Sequence, residues 1–344
     1  MKKDFVVNVN NLTKGVSEQG FGLILIVDNE HDIPYTLISE APALTQMDGI
    51  TVESKVYKIA TKIFSHTPRP QEVAIVGKKI ENSAEMGDVL STEIENLLNE
   101  LINSQKGDWF FLTSTTNDNV VIEKLSKWSM ANEKLYFVTT QDLSIVESIE
   151  SSNTAIGYHD DEGDYLAEGL AANMAVALPG SITAKFEEVA GSKPSNITLT
   201  ELNQLHKNNG FSYIRQKGRN YVSEGKMTDG SYIDIILGSY FIKFRLEEAL
   251  FLLALNNGKI PYSDQGIAML VAEVENVMRI ATRQGIILEK DGRGLYEIIA
   301  LSRSEVPKND VANRKYNGIS VKATVAGAIH SSEVTIDLVL EEVA

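Results

Sequence analysis

The sequence contains no cysteine, which excludes disulfide staples and thiolate metal sites and fits a reducing compartment. Proline is scarce, at 8 of 344 residues, and aromatic residues make up only 7%. No apolar run approaches the ~18 residues that a membrane-spanning helix needs. The N-terminus, MKKDFVVNVNN, has two lysines but lacks the continuous apolar stretch of a signal peptide. Neither export by that route nor membrane insertion is expected. Basic charge is also short: 32 Lys and Arg stand against 47 Asp and Glu, a net charge of -15. Neutralising phosphates requires a local basic excess, so no direct nucleic-acid partner is expected.

The usual marks of an enzyme are missing too. There is no G-x-x-x-x-G-K-[ST] loop, no G-x-G-x-x-G after a strand and no G-x-S-x-G elbow. Gly77-Lys78-Lys79 follows an apolar run but lacks the other glycine and the hydroxyl of a phosphate loop, and reads as a basic turn. The histidines, at positions 31, 66, 159, 206 and 330, have no metal-ligand spacing. The densest polar stretch is His159-Asp160-Asp161-Glu162-Gly163-Asp164, with Glu168 beyond it. It offers hard oxygen ligands of the kind calcium or magnesium takes, but without EF-hand spacing. It also reads as a solvated loop whose acids suit the positive N-terminal end of the following helix. No catalytic residue, cofactor or metal site is assigned.

What remains is a 43% hydrophobic chain long enough for about two domains of ordinary size. Short apolar runs at Leu23 to Val27, Glu72 to Val76, Trp109 to Thr113, Leu135 to Thr139 and Thr154 to Tyr158 predict strands. Between them Thr51 to Phe64, Leu90 to Asn103, Asn119 to Ala131 and Asp142 to Ile149 predict helices. Such alternation implies an α/β sheet with parallel pairs and helices on both faces. After a helix over Tyr165 to Ala177, Pro179-Gly180 breaks the pattern, and a domain boundary is placed near Lys185. Beyond it come a helix at Thr200 to Asn208, a glycine-rich loop of short strands from Asn209 to Gly230, and a strongly apolar helix from Tyr240 to Leu255. A further helix, capped by Asp264 and stopped by Gly285, places Ile267, Leu270, Val271, Val274, Val277, Met278 and Ala281 on one face. A hairpin is expected at Asp291-Gly292, and Ile319, Val321, Ala323 and Val325 alternate as a half-buried strand.

Both ends carry strand-like patterns. Phe5, Val7 and Val9 share one face behind a polar linker to Gly20, and Val334, Ile336, Leu338 and Leu340 share another. Each could pair within its own subunit, or add to the sheet of a neighbouring copy. Lys2, Lys3 and Lys14 make the first segment basic, whereas Glu333, Asp337, Glu341 and Glu342 make the second acidic, so charge favours pairing of unlike ends.

Three stretches in fixed order carry a family resemblance: Lys259-Ile260-Pro261-Tyr262-Ser263-Asp264-Gln265-Gly266-Ile267, then Arg314-Lys315-Tyr316, then Ala326-Gly327-Ala328-Ile329-His330. Across roughly Ile182 to Ala344 the chain resembles contractile tail sheath proteins. The resemblance implies a mixed-sheet α/β domain over 21–185, an α+β sheath-core domain over 186–330, and extended strand arms over 1–20 and 331–344. It also implies a homo-oligomer built by strand exchange in six-fold rings around an inner tail tube, with baseplate and tail terminator proteins as further partners. The location implied is the virion tail, after assembly in a bacterial host cytoplasm. Arg279 and Arg283 are the expected tube-facing residues, and ordinary surface arginines near a helix end are the alternative. Two rival readings are an α/β enzyme with a pocket at its strand ends and another tail component such as the tube protein, which would be mainly an antiparallel barrel.

Overall fold

The computed structural model describes residues 21–80 and 86–333. Its centre is an eight-stranded mixed sheet. In chain order the strands are β1 (Ile24–Asp28), β2 (Ile33–Ile38), β3 (Val73–Gly77), β4 (Phe111–Ser114), β5 (Leu135–Thr140), β6 (Thr154–Tyr158), β7 (Phe211–Gln216) and β8 (Arg219–Val222). They lie in the order β2-β3-β1-β4-β5-β6-β7-β8. All neighbours run parallel except the two edge strands, β2 against β3 and β8 against β7.

The five predicted strands are all present, each within two residues of its expected limits. β2 is an addition: Pro34 argues against a strand, yet a residue without a backbone N–H is tolerated at a sheet edge, and the register slips between Ile33 and Thr36. The sheet also runs past residue 185, because β7 pairs with β6 and carries it on to Val222.

Central strands buried on both faces explain the unbroken apolar runs. Along β1, Ile24 and Ile26 point into one core and Leu25 and Val27 into the other. The first core is closed by α1 (Lys55–Phe64) and α5 (Leu166–Val176). The second is closed by α2 (Met86–Asn103), α3 (Asn119–Ala131), α4 (Leu143–Ser148) and α6 (Leu199–Lys207). The result is a three-layer α/β body.

On it sits a helical hairpin of α7 (Ile233–Asn256) and α8 (Asp264–Arg283). The first half of α7 is anchored by rings: Phe110 of the body meets Tyr240 at 5.4 Å and Phe244 at 5.9 Å, and Phe21 meets Phe241 at 5.9 Å. Of the predicted face of α8, Ile267, Val274, Val277, Met278 and Ala281 are buried, while Leu270 and Val271 are only half-buried. Its cap differs from expectation. Ser263 accepts the Gly266 N–H, while Asp264 accepts the Arg303 N–H at 2.6 Å. Gly285, with φ of +81°, ends the helix.

Then come the short hairpin β9 (Glu289–Lys290) and β10 (Arg293–Gly294), which turns at Asp291 and Gly292 with φ of +53° and +75°. β11 (Tyr296–Ala300), α9 (Lys308–Ala312) and β12 (Ile319–Ala323) follow, with β11 and β12 pairing antiparallel as a two-stranded ribbon.

Candidate assembly surface

The carboxyl ends of parallel strands are where open α/β sheets keep their ligands. Here the polar side chains at those ends are engaged with one another. Asp28 accepts from the Thr115 hydroxyl at 2.9 Å, from the His31 N–H at 3.0 Å and from His31 Nδ1 at 2.7 Å. Asp28, Glu30 and His31 form the one group of three among the described residues whose ligand-type atoms lie within 4.8 Å of one another. Two of its three members, Asp28 and His31, are already hydrogen-bonded to each other.

The 159–168 stretch is not the freely solvated loop that one reading expected. Asp164 accepts from the Ser192 hydroxyl at 2.6 Å, the Lys193 N–H at 3.0 Å and Lys62 Nζ at 3.3 Å. His159 Nε2 donates to Lys193 O at 2.8 Å, and Asp160 accepts from Ser195 Oγ and the Asn196 N–H, both at 2.9 Å. These groups lace the 192–196 segment over the sheet. Glu168 lies fully inside, accepting from the backbone and hydroxyl of Thr139, and burial pushes its carboxyl up to about 7. The same burial pushes the Lys62 ammonium down.

The three family-like stretches are structural locks. In the first, a Cβ on Gly266 would lie 1.9 Å from Pro261 O, so only glycine fits there. The first and second stretches meet: Tyr262 OH donates to Lys315 O at 2.9 Å, and the Tyr262 and Tyr316 rings stand edge to face at 6.2 Å. Tyr316 OH donates in turn to Leu301 O at 2.7 Å, tying the β12 approach to the end of β11. In the third, the Ala326 N–H bonds Ile286 O at 3.0 Å, and His330 Nε2 shares a 2.9 Å hydrogen bond with the Thr183 hydroxyl.

The sequence-predicted site residues divide into two sets. Phe5, Val7 and Val9, and likewise Val334, Ile336, Leu338 and Leu340, lie outside the described residues. Arg279 and Arg283 are both exposed on the second half of α8. They line an open cleft of about 650 Å³ with Glu275, Thr282, Arg293 and Tyr296, so the β9–β10 hairpin adds a third guanidinium. Across this cleft Tyr296 OH donates to Glu275 at 2.7 Å.

Sequence reasoning missed the bare end of α7. Phe251 is 63% exposed and Leu255 61%, with Leu252 beside them. A helix apolar all round is normally buried, and that signal was present in the Tyr240 to Leu255 run. The ribbon also presents apolar surface, at Ile299, Val321 and Val325. The strand over Ile319 to Val325 was expected to be half-buried. In the structure Ile319 keeps contact with the core, while Val321, Ala323 and Val325 are exposed.

Residues 233–338 match the family of E217 tail sheath gp31-like proteins, C-terminal domain. No curated protein sequence matches the chain. Among solved structures, a chain of the anti-feeding prophage baseplate superposes with a TM-score of 0.71 at 12% identity, covering 99% of this chain and 100% of that one. A chain of the contracted anti-feeding prophage sheath gives 0.68 at 12% identity, with 99% and 100% covered. The sheath tail protein of Desulfitobacterium hafniense gives 0.58 at 8% identity, with 86% and 93% covered. Residues 233–338 thus carry the match to a tail sheath family, and over nearly its whole length the chain has the fold of these sheath and baseplate chains.

Proposed function

We propose that this chain is the repeating subunit of a contractile tail sheath. It stacks around an inner tube and drives that tube through a bacterial envelope when the sheath contracts, without nucleotide hydrolysis. The observation that carries this reading is a coincidence of place. The stretch that matches a tail sheath family, 233–338, is also the stretch that leaves Phe251, Leu252, Leu255, Ile299, Val321 and Val325 bare to solvent. Apolar surface of this kind in a soluble subunit marks a contact with something else. Similar structures from a helical sheath and from baseplates support self-association and a junction with a baseplate.

Finer parts of the proposal rest on chemistry. The terminal segments, with Phe5, Val7 and Val9 at one end and Val334, Ile336, Leu338 and Leu340 at the other, add as strands to neighbouring copies. Arg279 and Arg283, joined by Arg293, face acidic groups of the inner tube; a terminator protein closes the far end. The machine is a virion tail or a related particle, put together in the host cytoplasm. Four parts are proposed: 1–20, a sheet body, a sheath core and 331–344. The continuity of the sheet to Val222 favours dividing body from core between β8 and α7, beyond Lys185.

Negative-stain microscopy of the purified protein tests the reading. Striated hollow cylinders are expected. Uniform small particles at every concentration and salt tried would sink it.

A further inference from the structure

After β12 the chain leaves the ribbon, bridges Ile287 at Val325, and turns at Gly327, whose φ is +62°. Residues 320–329 are all exposed, and Ile329 is 87% so. His330 breaks the run. Its side chain is only 12% exposed, and among the described residues its bond to Thr183 is the one hydrogen bond made by residues 327–333. A single turned-in side chain in an otherwise bare segment is a pin.

The socket for this pin is built from distant parts of the chain. The Tyr232 ring stands edge to face with the imidazole at 5.0 Å, and the Phe186 ring does so at 6.2 Å. Glu224 lies 3.8 Å from Nδ1 and is itself paired with Lys185 at 3.5 Å. Two features mark the surroundings of the socket. Phe186 holds φ of +74°, a left-handed conformation that a bulky residue adopts only when its surroundings impose it. Its N–H is fixed on Val222 O at 3.0 Å, and this aims the ring at His330. Asp234 Oδ1 is buried without a hydrogen-bond partner, and burial pushes its carboxyl up.

We propose that His330 is a positioning residue, a pin that fastens residues 324–330, a strap following β12, to the α/β body and so fixes the direction in which the chain after Ser331 leaves the molecule. The partner served is a second copy of this chain. A segment that leaves in one fixed direction has already lost much of the freedom it would otherwise lose on joining a neighbour. The pin therefore deepens the sheath reading on which it rests, since it sets the presentation of residues 331–344 and adds no new contact between subunits.

Hydrogen–deuterium exchange on the full chain, read by mass spectrometry, separates the two claims. In His330→Ala the hydrogen-bonded amides of Thr324 and Ala326, which lead into the pinned segment, are expected to exchange about tenfold faster, because the chain beyond them has lost its tertiary anchor. The melting temperature should stay unchanged and cylinder assembly should slow several-fold. Thr183→Val, which alters the socket and leaves the strap sequence alone, should act in the same direction. His330→Gln keeps a hydrogen-bonding group for Thr183 and should recover part of both effects. Unchanged exchange in His330→Ala and Thr183→Val would overturn the pin, and so would faster exchange with assembly at the wild-type rate. If the wild-type chain itself never assembles, the sheath reading fails, while the exchange comparison still decides whether the strap is pinned.

Discussion

Gly266 shows what a single residue contributes to the family-like stretch before α8. The carbonyl of Pro261 occupies the place of its missing side chain, so Gly266→Ala must move backbone rather than a flexible side-chain tip. A loss of about 2–4 kcal/mol is expected in urea denaturation, the range for overpacking against a rigid neighbour. Glu168 makes a different prediction. Its folded-state value, raised by burial from 4.5 to about 7, lies above the unfolded one, so its contribution is whole below about pH 4.5 and is lost as pH rises through 7. Stability should therefore fall between about pH 4.5 and 7, by about 2–4 kcal/mol. Glu168→Gln should flatten that slope in denaturant titrations at stepped pH. An equal slope in both proteins would assign the titration to another group.

At the scale of elements, α7 divides into two halves with different duties. Its first half is clamped to the body by Phe110 and Phe21 through Tyr240, Phe241 and Phe244, and its second half carries Phe251, Leu252 and Leu255 into solvent. Replacing Phe251 and Leu255 together by Asp should leave monomer stability within about 0.5 kcal/mol, the ordinary range for surface changes. The same pair of charges should abolish cylinders, as seen by sedimentation, because they would enter an apolar contact between copies. Elements also show where the sequence was legible. The central strands and α8 were, because burial on both faces or along one stripe leaves a plain periodicity. β2 was not, because Pro34 hides an edge strand whose tolerance of proline depends on having no outer neighbour. The bare end of α7 was visible as an apolar run, but periodicity says only that a face seeks cover and cannot say that the cover lies outside the subunit. Asp264 was expected to cap α8, and the structure caps it one residue earlier, at Ser263. The choice was decided by Arg303, distant in sequence, whose N–H takes the aspartate.

For the whole molecule, the charge difference between the terminal segments is the property to test. Removing residues 331–344 should leave a folded monomer that makes no cylinders. Lysines in place of Asp337, Glu341 and Glu342 should slow assembly by setting basic ends against the basic Lys2, Lys3 and Lys14. Reversing those three to Glu in the same protein should restore part of the rate, and the rescue should shrink as the Debye length falls from about 10 Å at 0.1 M salt to about 3 Å at 1 M. Light scattering follows all three; equal rates at low salt would make the asymmetry incidental. Of the proposed assembly surface, the sequence displayed the ends and the two arginines. It could not display the third guanidinium of the cleft, Arg293, which only the turn at Asp291-Gly292 brings beside Arg279 and Arg283.

The distance along the chain between Thr183 and His330 has a consequence for how the subunit is made. The two residues are 147 positions apart, and the eight-stranded sheet is complete at Val222, long before the second of them is synthesised. At about 5–20 residues per second a ribosome takes roughly 7–30 s to travel between the two bonded positions. From Val222 onward the α/β body has all its strands, and once Tyr232 is made the socket of Phe186 and Tyr232 waits for its occupant. A nascent chain still held by its ribosome thus has every strand of its body before it has the side chain that docks the strap.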